Sequence, residues 1–181
     1  MDALTQSSPY LSGAEFGWPE SVRVHRLANI AGQCEVGEHT RIDAFVTITG
    51  RVRIGKNAHL GTGCCLFGGA GTVFDDAGIV LGDGVGISPG AKLFTGTTDL
   101  DSGLISVAGD IERAAYESPI VIDRFTMIGA NAVVMPGVKI GKCCQIGALS
   151  LVTKSLDEYG IYAGIPVKRL RDRPKMKYEQ C

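Results

Sequence analysis

Residues 24–66 read VHRLANIAGQCEVGEHTRIDAFVTITGRVRIGKNAHLGTGCCL, and every sixth residue is a branched aliphatic: Val24, Ile30, Val36, Ile42, Ile48, Ile54, Leu60 and Leu66. Chance would fill eight such positions in a given register with a probability of about 10⁻⁵. The register returns at Leu81, Ile87 and Leu93, and again at Ile122, Ile128, Val134, Ile140, Ile146 and Val152. Four places after each aliphatic stands a second, usually small residue, as at Ala28, Cys34, Thr40, Ala58, Cys64, Thr126, Ala132 and Cys144. The place just after the aliphatic is often glycine: Gly37, Gly55, Gly61, Gly82, Gly129, Gly141 and Gly147. A period of six matches neither a helix nor an ordinary strand. It fits a short strand plus a corner, repeated so that each turn buries its aliphatic against its neighbours. The glycines are expected to relieve the corners.

Composition agrees. The chain has 181 residues, enough for one domain with a real core. Its 18 Lys and Arg against 19 Asp and Glu leave a net charge of −1, so no overall basic field exists to hold nucleic acid or an anionic membrane. With 25 glycines and 7% aromatics, short strands and tight corners are favoured. No apolar run approaches the roughly 18 residues of a membrane span. The N-terminal MDALTQSSPYLSG lacks the basic start and apolar stretch of a signal peptide, so the cytoplasm is the expected location. The six cysteines (34, 64, 65, 143, 144 and 181) form two adjacent pairs without C-x-x-C spacing. They suit apolar packing better than a metal or redox centre, and no metal is expected.

Two interruptions break the register. One lies between Leu66 and Leu81, around GGAGTVFDDAG; the other lies between Leu93 and Ile122 and includes TDLDSGLISVAGDIERAAYESP. A loop of about twenty residues inside a repeat array points to a site, although such arrays also accept plain surface insertions. Asp99, Asp101, Asp110 and Glu112 in the second interruption could orient an acceptor or keep a loop soluble; Asp99 is the better candidate.

The pattern resembles the hexapeptide-repeat proteins, whose fold is an all-β, left-handed parallel β-helix of triangular section with three hexads per coil. The resemblance implies about five to six coils between Val24 and Asp157. On that reading 1–21 form an N-terminal cap with a short helix and 22–157 the β-helix, with an excursion loop over 99–118. Residues 158–181 form a C-terminal tail that contacts the cofactor.

Residues 128–173, IGANAVVMPGVKIGKCCQIGALSLVTKSLDEYGIYAGIPVKRLRDR, resemble the last coils of hexapeptide acyltransferases that use acyl-CoA. That likeness implies acetyl-CoA as acyl donor and a homotrimer with sites between neighbouring subunits. It places Ala130 and Ala148 along the pantetheine arm. Thr153 and Lys154 fall near the 3′-phosphate end of the adenosine, and Lys168 and Arg171 face the phosphates, where charge-assisted hydrogen bonds are strong.

Within the family, the galactoside and maltose O-acetyltransferases carry a catalytic His after the segment that reads LFTGTT here. Counting along ISPGAKLFTGTT puts Thr98 in that place. The family's substrate-binding Asn falls on Gly68, while a nearby Asp stands as Asp76. A hydroxyl acceptor needs a positioned base, typically worth 10²–10⁴ in rate. A sugar amine with a pKa of about 8 is in fair part free base at neutral pH and escapes that demand. FTGTTDLDSG and the C-terminal segment resemble transferases acting on nucleotide-linked amino-deoxy sugars for O-antigen and related surface polysaccharides. These usually read T-D-D-Y-S-G where this chain has Thr98-Asp99-Leu100-Asp101-Ser102-Gly103.

The expected reading is therefore an acetyl-CoA-dependent transferase acting on an amino group. Thr98 and Asp99 are the substrate-binding candidates, and His59 and Asp76 the catalytic ones. Counting hexads sets His59 and Thr98 on one side of the triangle with Asp76 in the coil between them. His59 is equally readable as an exposed turn residue, and His25 and His39 as structural. The alternatives are a sugar O-acetyltransferase with His59 as base, a non-catalytic β-helix scaffold, and a carbonic-anhydrase-like zinc enzyme, which three widely spaced His suit poorly.

Overall fold

The structure, a computed structural model, describes residues 8–69, 78–98 and 115–174, with the backbone alone at 98, 115 and 116. Its strands are short and pair in parallel with the strand one coil below, at an offset of 18 residues where no interruption intervenes. Three ladders result. Side A stacks Arg23–His25, Arg41–Ile42, His59–Leu60, Gly86–Ile87, Met127–Ile128, Gln145–Ile146 and Gly160–Gly164. Side B stacks the first halves of Asn29–Val36 and Thr47–Ile54, then Cys65–Gly68, Lys92–Phe94, Val133–Val134 and Leu151–Val152. Side C takes the second halves of the two long strands, then Ile79–Leu81, Ile120–Ile122 and Lys139–Ile140, with a bridge to Leu156. The chain is a left-handed parallel β-helix, and the period of six is one side plus one corner.

The register aliphatics fill the interior. All are buried except Ile30, which is partly exposed in the open first coil and packs against the core. Each fully buried Leu or Ile contributes about 1.5–3 kcal/mol, so the column is the main source of stability. The small residues four places on lie where the walls converge. Two of the threonines among them share one role. Thr40 Oγ1 donates to the Gly55 carbonyl at 2.9 Å and accepts from Ala58 N at 3.1 Å. Thr126 Oγ1 does the same with Gly141 and Cys144 at 2.9 and 3.1 Å. Cys64, Cys143 and Cys144 are buried free thiols, and burial pushes Cys64 up to about 12.

The glycine column has a different role from the one expected. The left-handed corner position falls three places after the aliphatic, where Phe45, Asn57 and Asn131 adopt φ of 60°, 55° and 55°. The glycines just after the aliphatic are needed for close approach between coils. A Cβ at Gly129 would stand 2.5 Å from Ala148 N, and one at Gly82 would stand 2.6 Å from Arg124 N.

The first coil is closed by Tyr10–Ser12, antiparallel to Arg23–His25, and a short 3-10 helix over Gly13–Phe16. Trp18 packs on the core there, its indole donating to the Cys34 carbonyl at 2.9 Å.

Both interruptions leave the coil at the corner between sides B and C, in successive coils. The first departs after Gly69 and returns at Gly78; the second departs through Gly96–Thr98, paired antiparallel with Ala115–Glu117. This corrects the hexad count. The first interruption adds chain at a corner without using up a side, so Leu93 lies on side B while Leu60 lies on side A. His59 and Thr98 are therefore not on one side. Asp76, Asp99 and most of the 99–118 excursion lie outside the described residues.

Gly50 occupies this corner at φ 74°, and a Cβ there would run into the Gly69 carbonyl of the next coil. Gly17, at φ 75°, has open space around the same position. Gly17→Ala should cost about 1 kcal/mol of unfolding free energy from φ alone, and Gly50→Ala about 2 kcal/mol more. Denaturant unfolding checks this, and equal costs would contradict it.

Candidate active site at the corner between sides B and C

At this corner Gly50 of one coil pairs with Gly68 of the next, and Phe67 pairs with Phe94 one coil further on. In-register pairing of parallel strands lays the two rings face to face, with centroids 5.2 Å apart and planes at 7°. Thr95 N and Oγ1 both donate to the Phe67 carbonyl, at 3.1 and 3.0 Å. The absence of side chains at Gly50, Gly69 and Gly96 leaves a cavity of about 420 Å³, walled by Thr49, Phe67 and Thr95. The carboxylate of Glu117 reaches back across the corner, and its Oε1 occupies the place a Cβ would take on Gly69. Along side C a groove of about 540 Å³ runs past Arg51, Arg53, Pro119 and Lys139. Arg53 pairs with Glu35 at 3.0 Å in an exposed ion pair worth little.

Glu117 was missed in the sequence because it looks like one more solubilising charge of the interruption. A usable signal was the Gly68-Gly69 pair just where the first interruption begins, since consecutive glycines suggest a close approach by another group.

The expected cofactor residues divide between two corners. Ala130 and Ala148 stand one above the other between sides A and B, where Leu149 N donates to the Ala130 carbonyl at 2.8 Å. Thr153 and Lys154 follow the side-B strand Leu151–Val152, so they lie on the B–C edge, the edge that carries both interruptions. Lys168 and Arg171 sit on Val167–Asp172, antiparallel to Gly160–Gly164. Lys154 and Lys168 meet in a cleft of about 390 Å³ with Tyr162 and Arg169; Arg171 is not in its lining. Arg169, not singled out in the sequence, is fixed there by Tyr162 Oη at 2.8 Å and Asp172 Oδ1 at 2.9 Å.

His59 lies on side A, half exposed, in a four-residue network. Its Nε2 is 2.7 Å from Asp43 Oδ2 and 2.8 Å from an Arg41 guanidinium nitrogen. Arg41 Nε reaches Asp43 Oδ1 at 3.0 Å, and Tyr10 Oη donates to the same oxygen at 2.8 Å. Burial raises the Asp43 carboxyl, but hydrogen bonds from His59 and Tyr10 outweigh it and hold the group below the usual carboxylate range. The hydrogen bond to Asp43 in turn raises the Tyr10 phenol. These contacts pin the N-terminal strand to the second and third coils. Thr98 enters the ribbon opposite Ala115. Among the described residues, no group of three His, Cys, Asp or Glu is placed to hold a metal ion, and no helix is long and apolar enough to cross a membrane.

A carboxyl held below its unfolded value contributes stability in full above about pH 4, and the contribution is lost as pH falls through the lowered value. Asp43→Asn should cost about 1–3 kcal/mol at pH 7, a few degrees in Tm, and the gap to the unmodified protein should close below pH 4. Melting curves across pH check this; a gap of the same size at pH 7 and in acid would contradict it.

Known proteins share these features. The repeats match the family described as bacterial transferase hexapeptide (six repeats) over residues 33–68 and 119–154. A galactoside O-acetyltransferase of Lactococcus lactis subsp. lactis (strain IL1403) is 36% identical over 119 residues, covering 64% of this chain and 54% of that protein. A 2,3,4,5-tetrahydropyridine-2,6-dicarboxylate N-acetyltransferase of Ligilactobacillus salivarius (strain UCC118) is 38% identical over 65 residues. The chain spans about half the length of the first of these curated relatives and 27% of the second. Among solved structures, AntD, an N-acyltransferase from Bacillus cereus in complex with dTDP and Coenzyme A, aligns over 93% of both chains with 26% identity and a TM-score of 0.81. With the three-sided coil and the interior column in hand, the chain carries bacterial transferase hexapeptide repeats over residues 33–68 and 119–154 and is similar to acyltransferases over most of its length.

Proposed function

We propose that this protein transfers an acyl group, in the first instance acetyl, from a coenzyme A thioester to the amino group of a nucleotide-activated amino-deoxy sugar. The product would serve O-antigen or another surface polysaccharide, made in the cytoplasm. The observation that carries the reading is the alignment to AntD along nearly the whole chain, since complexes of AntD hold dTDP, 3-hydroxybutyryl-CoA, and dTDP-4-amino-4,6-dideoxyglucose with Coenzyme A. The residues fit such substrates. Basic side chains at Lys154, Lys168 and Arg169 line the cleft at the last coil and suit the phosphates of the donor. Ala130 and Ala148 leave the A–B edge shallow enough for a thin pantetheine arm. Thr98 stands where the O-acetyltransferases carry their base, and an amine acceptor makes its absence intelligible.

The working form is a homotrimer. The outward side of B carries Cys65, Phe67, Phe94, Val133, Met135 and Leu151, half-buried apolar or weakly polar residues, with the exposed Lys92 between Cys65 and Val133. A threefold arrangement on side B sets the A–B edge of one subunit beside the B–C edge of the next. The two sets of expected cofactor residues would then face each other across the boundary. Leu151→Glu should dissociate the trimer, read as a fall in solution mass from three chains to one by light scattering; an unchanged mass would reject side B as the interface.

Thiol release from acetyl-CoA tests the reaction. Matched nucleotide sugars bearing amine or hydroxyl at the same carbon should give turnover with the amine alone. Lys154→Ala and Lys168→Ala should each raise KM for acetyl-CoA about ten- to a hundredfold. Turnover on hydroxyls alone would overturn the amine assignment and favour O-acylation with His59 as base. No thiol release with either, and no coenzyme A binding, would favour a scaffold.

A further inference from the structure

The outward column of side C has a pattern of its own. Pairing stacks Arg53, Val80, Val121 and Lys139 in successive coils, so a cation stands at each end of two valines. With neighbouring strands about 4.8 Å apart, the two cationic residues are about 14 Å apart along the helix axis. Pro119 and the bare Gly78 continue the apolar floor between them, and the whole is the groove of about 540 Å³. Arg51 joins Arg53 at its first end. Glu35 is the one carboxylate in the lining, set one coil before Arg53 and paired with it at 3.0 Å. Three cations against one carboxylate leave the groove positive. Gly50, the residue before Arg51, lines the corner cavity that holds Phe67, so consecutive residues open onto the groove and onto that cavity.

We infer that this groove holds the nucleoside diphosphate of the acceptor, with the sugar carried across the corner onto Phe67. The inference rests on the acyltransferase reading above and deepens it. An apolar floor with cations at its ends fits a flat base joined to a charged chain. The base and ribose lie on Val80, Pro119 and Val121. The diphosphate, with a negative charge on each phosphate, lies at the end where two guanidiniums stand, because their forked donors match phosphate oxygens. That is also the end from which the sugar can step over Gly50 into the corner cavity. Lys139, a donor only, meets a ring carbonyl at the far edge of the base. The exposed Arg53–Glu35 pair is worth little, so Arg53 can turn to the phosphates, while Glu35 repels a phosphate placed beyond it. Donor and acceptor then draw on separate cations: the coenzyme on Lys154 and Lys168 at the last coil, the nucleotide on side C.

The test measures dTDP binding by calorimetry, and KM for a dTDP-linked amino sugar, in Arg53→Ala, Lys139→Ala, Val121→Glu and Glu35→Gln. Each is first checked for an unchanged solution mass and unfolding midpoint. Arg53→Ala should raise both constants about tenfold and Lys139→Ala about threefold. Val121→Glu, which sets a carboxylate in the floor, should raise them by more than Arg53→Ala. Glu35→Gln should tighten dTDP. Coenzyme A affinity should move by less than about twofold in all four. Lys56→Ala, which removes an exposed cation paired with Glu38 away from the groove, should change nothing. If the unmodified protein binds dTDP, and Arg53→Ala and Val121→Glu bind it equally well, the nucleotide lies elsewhere and the acyltransferase reading stands. If the unmodified protein binds none of dTDP, UDP and GDP and acylates no sugar linked to them, that reading falls and takes this inference with it.

Discussion

Backbone-to-backbone contact between successive coils is the constraint from which the rest follows. Each side of the triangle hydrogen-bonds to the same side of the next coil, so the coils must approach to strand-pairing distance along their whole outline, corners included. The corners are the difficult places. Glycine after each aliphatic removes the Cβ that would strike the neighbouring backbone, and buried Thr40 and Thr126 satisfy carbonyl and amide groups that the turning chain leaves over. With the outline fixed, the interior admits one large aliphatic per side, and the periodic column fills it.

The same constraint explains where a site can be built. A residue added within a side would flip the following side chains from interior to exterior. Chain added at a corner can leave and return without disturbing any side, as the ladder from Leu66 through Leu81 and Leu93 demonstrates. Two such departures leave successive coils at the B–C edge, beside a stretch where Gly50, Gly68 and Gly69 leave the wall bare. Lys154 lies along that same edge at the last coil.

The period, the three-sided section and the interior residues were legible because they depend on side-chain size at fixed spacing. The side on which a given hexad falls was not. It depends on whether an interruption consumes a side, and the register places after Leu66 hold Thr72 and Gly78 rather than aliphatics. That ambiguity put His59 beside Thr98; pairing puts His59 with Arg41 and Gly86 on side A, bound to Asp43. The Lys154–Lys168 pairing was legible only as two members of one motif, because the antiparallel return of the final strand brings them together. Glu117 was illegible for a third reason. Nothing local distinguishes a glutamate folded onto a glycine from one facing water.

The most direct test of the account is a crystal structure with coenzyme A and a nucleotide-linked 4-amino sugar bound together. The account predicts the sugar ring against Phe67 at the B–C corner and the coenzyme phosphates between Lys154 and Lys168. A sugar seated on side A with its acceptor atom on His59, and the B–C corner empty, would contradict it.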